Sequence, residues 1–246
     1  MPRHTRPQLR SAEVVLVGVL GLAVFLAALF AVWTVRRRPA AASPVARAAG
    51  IPPDVSDATA ALMGLAPAPG DAAPGFALTD QHGRPVTLSG LRGSVVVLEF
   101  MDPHCTDICP IVSQEFVDAY HDLGAAAAHV DFLAVNVNPY VRTPAAMASY
   151  SHERGLDTVP SWHFVTGPVA SLRSVWHHYG IEVEAPSPTA DVQHTSTVFF
   201  IDPSGHERYL ATPTEDHHAD GSAYLPAGPL AAWGRGIATV AAGLAH

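Results

Sequence analysis

The segment Val95–Phe100, VVVLEF, restricts the fold more than any other part of the chain. It is a nearly continuous apolar run, as expected of a strand buried on both faces; a half-solvated strand would alternate. Val112, Phe116, Tyr120 and Leu123 follow at helical spacing. Val130–Val137 then reads as a second buried strand. Two such strands joined through a helix lie parallel, with a right-handed crossover.

The same reading continues along the chain. Phe76–Thr79 and Pro85–Leu88, around Gln81-His82-Gly83, form a hairpin. Thr143–Arg154 and Val169–Tyr179 are helices that stop at Gly155 and Gly180, with the strand Trp162–Thr166 between them. Thr195–Ile201 and Glu207–Leu210 are strands around the turn Asp202-Pro203-Ser204-Gly205, and Leu230–Leu244 closes as a helix. The order is α/β: a βαβ unit followed by a ββα unit around a central mixed sheet, the plan of thioredoxin-like folds in their peroxiredoxin-like variant.

Upstream, Val14–Val35 has no charge in 22 residues. At 1.5 Å per residue it spans a ~30 Å hydrocarbon core. A cleavable signal peptide is the rival reading, but its apolar region normally runs ~7–15 residues. The expectation is a transmembrane signal anchor at 14–35, residues 1–13 in the cytoplasm, an Ala/Pro/Gly-rich linker at 36–75 and a folded domain at 76–246. Arg3, Arg6 and Arg10 precede the span and Arg36, Arg37 and Arg38 follow it, so the positive-inside rule is nearly balanced.

A hydrophobic content of 48% with 15% charged residues excludes disorder of the whole chain. The net charge is −8, and beyond residue 75 seven arginines face eighteen acids. That argues against a nucleic-acid partner or docking on anionic lipid.

Two cysteines stand in His104-Cys105-Thr106-Asp107-Ile108-Cys109-Pro110, directly after the strand. Ligands gather at that end of an open α/β sheet. Asp107 reads as the N-cap of the helix. Spacing i, i+4 puts both sulfurs on one helical face, able to close a disulfide or open around one metal ion. The helix N-terminus favours thiolate. Inert core cysteines or a permanent disulfide are the bland readings, and a polar turn suits neither.

Two thiolates need a third ligand. Of 14 histidines, His194 stands out, just before the strand Thr195–Ile201, in the loop that faces the cysteine helix in thioredoxin-like folds. Ser196 occupies the place of the thioredoxin cis-proline. Two thiolates and an imidazole suit Cu(I) and can hold Cu(II); Zn(II) usually wants a fourth ligand or water.

These residues resemble the SCO/SenC family of membrane-anchored, thioredoxin-like copper proteins over about residues 74–210. The resemblance rests on Phe76–Asp80, Leu91-Arg92-Gly93, Cys105 and Cys109 with Pro110, Trp162–Gly167, and His194 before Phe200–Gly205. It implies copper delivery to the dinuclear copper site of cytochrome c oxidase subunit II, or to another extracytoplasmic copper protein. It also implies Cys105, Cys109 and His194 as metal ligands, a thiol reductant as partner, and a single-pass cell-membrane protein with its domain outside the cytoplasm. The protein is then a metallochaperone; the alternative is an extracytoplasmic thiol–disulfide oxidoreductase using the same cysteines. A peroxiredoxin-type peroxidase fits poorly, because Pro103-His104-Cys105 lacks the Thr of that motif.

Two stretches depart from the family pattern. Asn138-Pro139-Tyr140-Val141-Arg142-Thr143 replaces both acids of the usual Asp-Pro-x-x-Asp-Thr, and Phe100-Met101-Asp102-Pro103-His104 before the first cysteine is unusual. Met63 and Met101 read as packing residues. His104 reads as pointing away from the metal, His177 and His178 as solvated, Trp162 and Phe164 as core, and Glu215–Asp220 as a polar surface loop, with a weak divalent-ion site as its alternative.

Overall fold

The computed structural model describes residues 50–245. Helices α1–α5 span Asp57–Leu62, Ile108–Leu123, Pro144–Glu153, Val169–His178 and Ala227–Leu244. A six-stranded sheet has the order β1-β10-β9-β4-β5-β6. Its strands are β1 (Ala66–Pro67), β4 (Val95–Met101), β5 (Val130–Asn136), β6 (Trp162–Val165), β9 (Val198–Ile201) and β10 (Glu207–Ala211). Strands β4, β5 and β6 run parallel, while β9 is antiparallel to β4 and β10 antiparallel to β9. This is the α/β, thioredoxin-like plan with a mixed central sheet. Strands β2 (Ala77–Thr79) and β3 (Pro85–Thr87) form the expected hairpin.

All seven residues of β4 are buried. Its pleat divides them: Val95, Val97 and Met101 join the core layer of α2, α3 and α5, whereas Val96, Leu98 and Phe100 join the layer of α4 and the β2–β3 hairpin. The first layer centres on Phe116, Phe132, Trp162, Phe164 and Trp233, and the second on Leu172, Trp176 and Phe199. Glu99 has the parity of Val97 and Met101, which aims a carboxyl into the layer beneath α2.

Residues 50–75, expected as linker, are instead built into the domain. Ser56 caps α1 through its side chain, and β1 pairs with β10. Ile51, Val55, Met63 and Leu65 are buried in the first core layer. Sequence reading missed this because Ala and Pro carry little periodicity, while the anchoring comes from four isolated apolar side chains. Met63 packs so closely on α5 that a Cβ on Gly236 would sit 2.3 Å from its sulfur.

The strand expected over Thr195–Ile201 is also divided. Gln193–His194 forms β8, paired with β7 (Val183–Glu184), and β9 starts only at Val198. Thr195 gives its N–H to Glu182 O, and Ser196 turns its hydroxyl to Glu99, so the intervening residues leave the main sheet. Among the described residues no helix is long and apolar enough to cross a membrane. The expected anchor Val14–Val35, the 1–13 segment and residues 36–49 lie outside the described residues.

Candidate metal and redox site

β4 ends at Met101, and the chain turns through Asp102–Asp107 into α2. Asp102 Oδ1 accepts the His104 N–H (2.9 Å) and fixes this turn. Asp107 stands at the N-cap but makes no side-chain capping bond, contrary to the sequence expectation. A sulfur takes that role: the Cys109 N–H points to Cys105 Sγ at 3.4 Å. Charge at a helix N-terminus is stabilised by the orphan N–H groups, so the substitution favours a thiolate.

The two cysteines are both free thiols, and they differ in environment. Cys105 is half-buried, and its pKa is lowered to about 7. The hydrogen bond from the Cys109 thiol lowers it most, followed after the opposing effect of burial by the N–H groups of Asp107 and Cys109. Cys109 is buried and its pKa is pushed well up, first by donating to Cys105 and then by burial, with the Cys105 and Glu99 charges adding to it. The proton of the pair therefore sits on Cys109, and Cys105 is the ionisable sulfur.

Cys105 opens into a cavity of about 770 Å³ that is also lined by Asp102, His104, Asn138, His194 and Ser196. His194 reaches the same cavity from β8. Its Nδ1 lies 3.0 Å from Thr195 O. A carbonyl only accepts, so Nδ1 carries the proton and the Nε2 lone pair is left for another partner. Burial lowers the His194 pKa, which keeps the ring neutral. The sequence thus brought Cys105 and His194 to one cavity, with Cys109 buried behind. The donor atoms of Cys105, Cys109 and His194 are not closed into one set: among the described residues only Asp107, Glu215 and His217 have potential ligand atoms all within 4.8 Å of one another.

Met101 is fully buried packing, Trp162 and Phe164 are core, and His177 and His178 are exposed, as expected. His104 is exposed on the cavity rim. The two family departures meet in space. Asn138 Nδ2 donates to Asp102 Oδ1 at 2.9 Å, while Asn138 Oδ1 accepts the N–H groups of Tyr140 and Val141. An ionised Asp at 138 could not donate, and would oppose Asp102 in a buried place.

Two acids escaped the sequence reading. Glu99 is 1% exposed, accepts from Ser196 Oγ at 2.9 Å, and is held mainly by burial at a pKa of about 8. Glu115, on α2, is fully buried with neither oxygen hydrogen-bonded, and burial, helped by Glu99 and Asp118, raises it to about 9. The signal was present in VVVLEF: one carboxyl inside an otherwise apolar buried run.

Comparison with known proteins decides the family. The SCO1/SenC model matches residues 66–220. The chain belongs to the SCO1/SenC family. A bovine relative, the mitochondrial protein SCO2 homolog, is 31% identical over 153 residues, covering 60% of this chain and 54% of its own. The Bacillus subtilis SCO1 protein homolog is 26% identical over 136 residues, 53% of this chain and 68% of that one. The chain spans about half the length of the mitochondrial relatives it matches. Among solved structures, Bradyrhizobium japonicum ScoI with copper bound superposes with a TM-score of 0.55 at 22% identity, covering 71% of this chain and 99% of that one. BsSco, described with a disulfide switch and as a member of a family of cytochrome c oxidase assembly proteins, gives 0.51 at 20% identity over 70% and 96%. These two show the shared fold.

Proposed function

We propose that this SCO1/SenC protein binds copper through Cys105, Cys109 and His194 and passes it to an extracytoplasmic copper protein, with the dinuclear site of cytochrome c oxidase subunit II as the foremost candidate. The observation that carries this reading is the cavity at the end of β4, where an acidified thiol and a neutral imidazole with a free lone pair share one wall-to-wall space. Copper bound to the relatives' structures supports it. Two thiolates and one imidazole hold Cu(I) and accommodate Cu(II). Copper is the cargo, and the chain's task is to offer ligands that can be exchanged. Because the ligand atoms are spread across the cavity, capture draws β8 toward α2.

The deciding experiment is copper binding by the reduced protein against a competing chelator, with free thiols titrated in parallel. One copper per chain is expected. His194→Ala should weaken binding at least about tenfold, the scale of removing one ligand worth ~1.4 kcal/mol or more, with both thiols still titrating. Unchanged affinity in His194→Ala removes His194 from the site.

A second reading, thiol–disulfide exchange on an exported protein, is favoured by the asymmetry of the pair. A Cys105 thiolate attacks a target disulfide, and Cys109 then resolves the mixed disulfide, leaving the target reduced and Cys105–Cys109 oxidised. A thiol reductant must reopen the pair. Oxidation removes two of three copper ligands, so the oxidised protein should not take up copper. Reductase activity that survives His194→Ala, in a chain with no copper affinity, selects this reading over delivery.

For topology, Val14–Val35 anchors the chain and the domain lies outside the cytoplasm. An alkaline phosphatase fused after residue 246 should be active; an expressed but inactive fusion reverses the orientation.

A further inference from the structure

A second donor set lies at the rim of the cysteine cavity. His217 Nε2 is 3.6 Å from Asp107 Oδ1 and 3.7 Å from Glu215 Oε1. These separations are too long for hydrogen bonds. They approach the ~3.3 Å between ligand atoms of a tetrahedral ion with bonds of ~2.0–2.1 Å. Asp107 spends its carboxylate on no helix cap, and the second oxygen of Glu215 is buried without a hydrogen-bond partner. Glu215 is half-buried and its pKa is raised, by burial first and then by the Asp107 charge. Two carboxylates converge on one imidazole, and among the described residues no arginine joins them in an ion pair.

The element that presents His217 is well defined. In the hairpin of β11 (Asp216–His217) and β12 (Ala223–Tyr224), Asp216 pairs with Tyr224 and His217 with Ala223. The His218 ring stacks on Tyr224 with centroids 3.9 Å apart. Asp220 Oδ1 accepts both the N–H and the hydroxyl of Ser222 and closes the turn. What reads in sequence as a polar surface loop is a hairpin that holds an imidazole beside Asp107, the middle of the three residues between the two cysteines.

We propose that Asp107, Glu215 and His217 form a second metal site, for a borderline divalent cation such as Zn²⁺ or Cu²⁺, beside the Cys105 cavity. Two carboxylate oxygens and one imidazole suit these ions, whereas Cu(I) prefers the thiolates. Three protein ligands leave a position open to water or to an incoming ligand. Asp107 lies two residues from each cysteine, so an ion held here waits next to the thiols. The site uses none of Cys105, Cys109 and His194, and it stands whether or not those three bind copper.

The test uses the untagged full chain carrying Cys105→Ser and Cys109→Ser, dialysed against Zn²⁺. One zinc per chain is expected, in the micromolar range. His217→Ala and, separately, Glu215→Gln should each weaken binding at least about tenfold while the circular dichroism and unfolding temperature match the parent. Co²⁺ in place of Zn²⁺ should give ligand-field bands without sulfur charge transfer. No zinc bound at about 1 mM free metal, or binding that neither substitution changes, overturns the site.

Discussion

Glu115→Gln should change how stability depends on pH more than it changes stability itself. Glu115 is buried without a hydrogen-bond partner, and its pKa rises from 4.5 to about 9. In the fold it is therefore neutral at pH 7, whereas in the unfolded chain it is ionised. Folding takes up a proton, so the stability contribution is fully present below pH 4.5 and is lost as pH rises toward about 9. Between those limits the loss is about 1.4 kcal/mol per pH unit. At pH 7 it amounts to about 3 kcal/mol. Glutamine has no ionisation to suppress, but it buries one further N–H donor, which costs about 1–2 kcal/mol. The variant should thus be the less stable protein near pH 4.5 and the more stable one at pH 8. Urea unfolding of the reduced, metal-free protein from pH 4.5 to 8.5 reads the difference, and at 2–4 °C per kcal/mol a thermal melt sees it too. Parallel curves, with a constant offset between the two proteins, would refute the reasoning. They would mean that Glu115 titrates normally and that water or a counter-charge reaches it.

Three other outcomes follow from particular contacts. Gly236→Ala places a Cβ 2.3 Å from the Met63 sulfur and 2.9 Å from Thr59 Cγ2; it should destabilise the domain by about 1–3 kcal/mol, and an unchanged denaturation midpoint would mean that residues 57–63 do not dock on α5. Asn138→Asp sets a carboxylate against Asp102, replacing the 2.9 Å hydrogen bond; it should cost about 2 kcal/mol or more, and Asp102→Asn in the same chain should return part of the loss in a double-mutant cycle. Iodoacetamide should modify Cys105 before Cys109, with a rate that climbs through a midpoint near pH 7; equal labelling by mass spectrometry would put the two thiols in equivalent environments.

The sheet, its parallel half and the cysteine helix were legible because they rest on unbroken patterns: VVVLEF, the spacing of Val112, Phe116, Tyr120 and Leu123, and glycines at helix ends. Residues 50–75 were not, since their place depends on Met63 and Leu65 finding α5 and its surroundings across the whole chain. The helix cap was read at the right residue, Asp107, but not with the right atom, because Cys105 Sγ takes the N–H that a side-chain cap would take, and rank orders of capping residues do not include a thiolate. The place of His194 on the cysteine cavity was legible, but its local geometry was not. His194 is set by a two-residue ladder with β7, too short to leave a periodic trace. The pairing of Asp102 with Asn138 shows the same limit: each departs from the family pattern when read alone, and together they make one hydrogen bond.

The unequal cysteines give the proposed copper site an order of events. Cys105 is close to half ionised at neutral pH and faces the cavity, so an arriving cation meets it first. Cys109 is held as a thiol by its hydrogen bond to Cys105, by burial and by the Cys105 charge, all of which oppose a second anion in the same place. Only a cation bound to Cys105 can reverse that balance, by giving the second thiolate an opposite charge at bonding distance. Loading should therefore release a proton from Cys109, together with the fraction still carried by Cys105, and grow tighter with rising pH up to the titration of Cys109. Transfer runs the other way. A partner ligand that draws copper off Cys109 lets its proton return, and the buried thiol then resists recapture. Copper binding in weakly buffered solution at pH 6.5 and pH 8, with proton release measured by a pH indicator, checks this. Release between one and two protons per copper at pH 6.5, falling toward one at pH 8, is expected. Equal release at both values would mean that Cys105 is not the acidified member of the pair.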